Sequence, residues 1–189
     1  MSTLKVNNID TQTGTTISVA SGKVLTQPGS IIQTQSNSNG TGFTTTSTSY
    51  INLISVQITP KFSNSKILIT GTMFVTHRDY YDGRMKLVFD SGSGNTDITL
   101  GSAKAEYMVR ENGHPSQNFS TSNWGATAAL YGAVPYVLNF EHSPSTTNQI
   151  TYLIQALTGN ASQTFYFNRG ASATDPIHIS TIIAQEIAQ

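Results

Sequence analysis

The chain has 189 residues, with ten basic and ten acidic side chains and no cysteine. With zero formal net charge and only 11% charged residues, it has no general field to draw a phosphate backbone, which excludes a sequence-independent nucleic-acid binder. The missing cysteines exclude a disulfide framework, a thiolate zinc site and a cysteine nucleophile.

Thr, Ser, Asn and Gln together supply 74 of the 189 residues. That balance suits β-structure whose outer faces carry hydroxyls and amides rather than charges. No stretch reaches the ~18 consecutive apolar residues of a membrane helix, so no membrane insertion is expected. The opening MSTLKVNNID lacks the apolar run of a secretory signal, so a soluble product of the cytoplasm is expected.

Residues 1–33 read as an extended N-terminal arm. Its apolar side chains, Leu4, Val6, Ile9, Ile17 and Val19, are too few to form a core. They must pack on the chain's own domain, a sister subunit or another partner. Residues 34–189 read as the domain proper. Its lead-in, Thr34–Ser49, holds one aromatic in sixteen residues and reads as a flexible linker or loop.

The strands follow in short blocks rich in Val, Ile, Tyr, Phe and Thr, bounded by turn residues. Tyr50–Thr59 is apolar at Ile54, Val56 and Ile58, with Ile51 and Leu53 out of phase, which predicts a bulge. Lys66–Thr76 is a long apolar run interrupted by Gly71. Arg84–Asp90, Tyr136–His142 and Ile150–Leu157 alternate, and Lys104–Val109 and Thr164–Asn168 are shorter candidates. Ile177–Ile187 fits helical spacing as well, but its five isoleucines favour a strand. About eight strands with turns between them predict an all-β, antiparallel β-sandwich of jelly-roll type.

No motif for catalysis stands out, and no catalytic residue, metal site or cofactor is expected. The four histidines, His77, His114, His142 and His178, lack ligand-like spacing. Asp90–Asp97 places oxygen-bearing residues at alternate positions. However, Asn95 and Gly101 stand where a calcium loop needs Gly and Glu, so it reads as a hairpin loop. Two loops carry the candidate recognition residues. Arg78, Tyr80 and Tyr81 form the densest charged and aromatic cluster, either a plain turn or a recognition surface. Trp124, the one tryptophan, lies in the longest irregular stretch. It either anchors a ligand or neighbour, or caps the end of the sandwich.

Taken together, several pieces resemble a known family. MSTLKVNNI with TGTTISVASGKVL resembles the N-termini of virion proteins of tailed phages, especially those infecting cyanobacteria and other marine bacteria. TSTSYINLISVQITPKFSNSKILI resembles their core motif, and NFEHSPSTTNQITYLIQA, TFYFNR and STIIAQEIA their closing strands. Residues 77–135 have no counterpart.

The resemblance implies a non-enzymatic structural protein of the virion, a fibre or capsid-decoration component. It implies a C1q/TNF-like jelly roll that assembles as a homotrimer, with other capsid or tail proteins as partners. The arm would attach the protein to the particle. The alternative is a carbohydrate- or receptor-binding module that takes a host surface glycan through its aromatic loops. The two are compatible.

Overall fold

Side chains on a strand alternate between two faces, so a strand is stable in water only when its apolar set is covered. The computed structural model describes residues 27–77, 83–100, 103–104, 106–109, 133–170 and 177–189. There the blocks of alternating sequence become strands, and no helix occurs among the described residues.

The chain is a long antiparallel ribbon rolled on itself. β1 (Ile31–Asn39) pairs with β13 (Ser180–Ile187), and β2 (Phe43–Thr45) with β12 (Phe165–Phe167). β3 (Ile51–Ile58) pairs with β11 (Ile150–Thr158), and β4 (Lys66–His77) with β10 (Val134–His142). The innermost pair is β5 (Gly83–Asp90) with β9 (Glu106–Val109). Each later strand thus pairs with a progressively earlier one.

Two further pairings, β13 with β4 and β11 with β5, roll this ribbon into two sheets. The first runs β1-β13-β4-β10, with β12 and β2 continuing beside β4. The second runs β3-β11-β5 and ends on β6 (Thr96–Asp97) and β9. A ribbon closed in this way into two antiparallel sheets is a jelly roll, as the sequence predicts. A separate two-residue pair joins β7 (Thr99–Leu100) to β8 (Ala103–Lys104).

The core lies between the sheets. From the first come Ile67, Ile69, Met73, Val75, Leu138 and Ile182; from the second, Ile54, Val56, Met85, Leu87, Tyr152 and Ile154. The predicted bulge is present. Ile154 faces Ile54 while Gln155 faces Asn52, leaving Leu53 as the extra residue. The bulge returns Ile54 to the core phase. Gly71 meets a different need. A Cβ there would collide with the Thr181 backbone carbonyl of β13, so the close approach of two strands requires glycine.

One expectation is overturned. Thr34–Ser49 is not a linker; most of it forms the end of β1 and all of β2. Its polar composition hides an edge strand whose stability comes from backbone pairing with β13. β1 starts at Ile31, inside the segment read as arm. The Asp90 loop is a hairpin between β5 and β6. The Asp90 carboxylate accepts from the amides of Gly92 and Gly94, both at positive φ.

A buried polar hub ties the first sheet together at Asn168, just after β12. Asn168 is fully buried and sits at φ 58°. Its Nδ2 donates to the carbonyls of Asn39 (2.6 Å) and Thr41 (3.3 Å). Its Oδ1 accepts from the Ser180 hydroxyl, whose Oγ in turn accepts from the Phe74 amide. Its own amide donates to the Phe74 carbonyl, and its carbonyl accepts from the His178 amide. Asn supplies both the donors and the left-handed backbone, which few other residues tolerate.

At the other end of the core, His142 Nδ1 lies 2.9 Å from the Tyr152 hydroxyl. Its ring packs 4.4 Å from that of Phe89. Burial raises the Tyr152 pKa and lowers that of His142. A protonated hydroxyl thus meets a neutral imidazole.

Two predictions concern these sites. Asn168→Ala lowers stability to chemical denaturation by about 3 kcal/mol, and Asn168→Gly recovers only the backbone share; an Asn168→Ala protein as stable as wild type would contradict the hub. The His142 contribution is complete above its ordinary pKa of 6.5 and is lost as pH falls from there through the lowered folded-state value. The thermal midpoint of the wild type therefore falls on acidification over that window more steeply than that of His142→Gln. Parallel profiles would refute this.

Candidate assembly face

An antiparallel sheet with one solvated face ordinarily carries polar residues on it. The outer face of the second sheet follows that rule. Gln57 bonds Thr151 (3.2 Å), and Gln155 bonds Asn52 (2.8 Å). Lys86 bonds Asp97 (2.7 Å) and lies 4.3 Å over the Tyr50 ring. Of the apolar residues on this face, Val88 and Leu153 are buried and Leu157, opposite Arg84, is half-buried. Three polar pairs lie on it, and its centre at Val88, Leu153 and Gln155 is covered within the single chain.

The outer face of the first sheet is largely polar too, with aliphatic side chains set among the polar ones. Strand register sets its residues in rows. Ser36, Ile183, Thr70 and Asn139 form one; Ser38, Thr181, Thr72 and Val137 the next; Thr34, Gln185, Leu68 and Glu141 a third. Ile31 and Ile187 lie opposite one another at one end, and Phe74 faces Pro135 at the other. Val137 is 70% exposed and Ile31 57%. Ile177 and Ile179, just before β13, are 64% and 62% exposed.

In the three rows the one charge is Glu141, and it pairs with Lys66 at 2.6 Å. Both members are well exposed, so the pair adds little to stability. The His178 ring stacks on Phe74, 4.7 Å between centroids and 12° from parallel. The result is a neutral surface of methyl groups and hydroxyls.

The residues singled out from sequence fall elsewhere. Leu4, Val6, Ile9, Ile17 and Val19 of the arm lie outside the described residues. So do Arg78, Tyr80, Tyr81 and Trp124. The face is built instead from Leu68, Phe74, Val137, Ile183 and Ile187, which sequence reasoning did not single out. The signal was present: KILITGTMFVT and the isoleucine-rich last strand are apolar at both parities. A strand covered on both faces reads that way. Among the described residues, no group of three His, Asp or Glu side chains is placed to hold a metal ion.

No family model matches the chain, and no curated protein matches it. Among solved structures, the crystal structure of the infectious bursal disease virus VP2 subviral particle is similar over 92% of this chain, with a TM-score of 0.39 and 11% sequence identity. The similar region spans 42% of that viral chain.

Proposed function

We propose that this chain is a non-enzymatic structural protein of a tailed-phage virion, a fibre or capsid-decoration component that assembles as a homotrimer. The observation that carries the assembly is the neutral, partly aliphatic outer face of the β1-β13-β4-β10 sheet. The virion setting rests on the phage-like motifs of residues 1–76 and 136–189.

A second copy of the chain is the occupant that suits this face. The sole charges at its margin, Lys66 and Glu141, already satisfy one another. Identical subunits with zero net charge also meet without long-range repulsion. A head-to-tail contact repeated about a three-fold axis closes, so no edge is left to propagate. In this reading the arm, with Leu4, Val6, Ile9, Ile17 and Val19, attaches the trimer to capsid or tail proteins. Asn52 and Gln57 of β3, exposed in the single chain, face solvent.

Light scattering on the purified chain tests the assembly. The expected mass is three times the 20.3 kDa of one chain. Val137→Glu changes a residue that is exposed in the single chain, so it leaves the fold intact and shifts the mass to that of a monomer. Gln57→Glu, on the other sheet, leaves the trimer unchanged. A monomeric wild type at micromolar concentration, or a Val137→Glu protein that assembles as before, would overturn the proposal.

A further inference from the structure

A second feature lies where the two sheets meet along their open side. β1 is the edge of one sheet and β3 the edge of the other. Between them runs a groove of about 530 Å³, open to solvent. Its lining is almost wholly polar and holds one charge, Lys61.

The groove is a built structure. Gln33, Gln35 and Asn37 stand on one face of β1 at two-residue spacing, roughly 7 Å apart. Gln33 Nε2 donates to the Thr59 carbonyl (2.7 Å) and to the buried Glu186 carboxylate (2.6 Å). The same carboxylate accepts from the amides of Lys61 (2.7 Å) and Phe62 (3.2 Å), which fixes one end of the groove. Asn37 Nδ2 donates to the Ser55 carbonyl (2.8 Å). These bonds lock the donor ends of two amides and leave their oxygens without a donor among the described residues. Gln35, Gln149 and Lys61 line the groove with side chains that have no partner among the described residues.

We propose that this amide-lined groove binds a neutral saccharide. Fixed amide oxygens accept, and free amide groups both donate and accept, which matches the paired hydroxyls of a sugar. The lining offers neither the apolar pockets that an added peptide strand uses for specificity nor the arginine cluster of an anion site. Phe62, next in the chain to Lys61, is 40% exposed, so an aromatic ring stands at the same end. This site is separate from the loops of Arg78, Tyr80, Tyr81 and Trp124, and it does not depend on the trimer.

The test is calorimetric or NMR titration of the full chain with maltohexaose, mannohexaose and chitohexaose, and with hexagalacturonate as an anionic probe. At least one neutral oligomer is expected to bind. Gln35→Ala and Gln149→Ala, both exposed and free of structural bonds, should each weaken it about fivefold. Tyr81→Ala and Trp124→Ala should leave it unchanged. No binding of any neutral probe would overturn the proposal. So would binding insensitive to both glutamine changes, binding lost with Tyr81 or Trp124 instead, or binding of hexagalacturonate alone.

Discussion

The last strand of the chain holds the first sheet together. β13 hydrogen-bonds β1 on one side and β4 on the other along almost its whole length. Without it, the first strand would have no partner and the rolled ribbon would open. Its inward residues, Ile182 and Ala184, join the core; Ser180 anchors the Asn168 hub, and Glu186 secures Gln33 and the turn after β3. The close approach that Gly71 permits lets β13 lie tight against β4. Folding must therefore wait for the two ends of the chain to meet. This is the non-local kind of topology that folds slowly.

The same strand links fold to surface. Its two side-chain sets face opposite ways, and both contain isoleucine: Ile182 in the core, Ile183 and Ile187 on the outer face. β3 carries Asn52, Ser55 and Gln57 on its outer side. The outer face of the first sheet carries methyl groups and hydroxyls, and the proposed assembly rests on it. The low charge of the whole chain fits the proposed assembly, because that face carries almost none.

Much of the fold was legible in the sequence. The alternation in residues 84–90 and 150–157, the out-of-phase pair at Ile51 and Leu53 and the isoleucines of the last strand predicted strands and a bulge that the structure shows. Thr34–Ser49 was not legible, because an edge strand with amides and hydroxyls on both parities has the composition of a loop. Its partners lie more than a hundred residues away, and no local pattern reports them. The assembly face was half legible. Runs that are apolar at both parities place apolar residues on both faces, but only strand register shows that Leu68, Val137 and Ile183 fall on one surface. The amide groove left no signal at all, since it exists only where two distant edges meet.

In the proposed assembly, other copies of the chain cover the outer face of the β1-β13-β4-β10 sheet. The absence of native cysteine allows a direct measurement: maleimide labelling rates of single-cysteine variants in the assembled protein. Residues 137 and 57 are both exposed in the single chain, so their intrinsic access is alike. Val137→Cys is expected to label slowly and Gln57→Cys fast, with equal rates once the assembly is dissociated. Equal rates in the undissociated protein would contradict it.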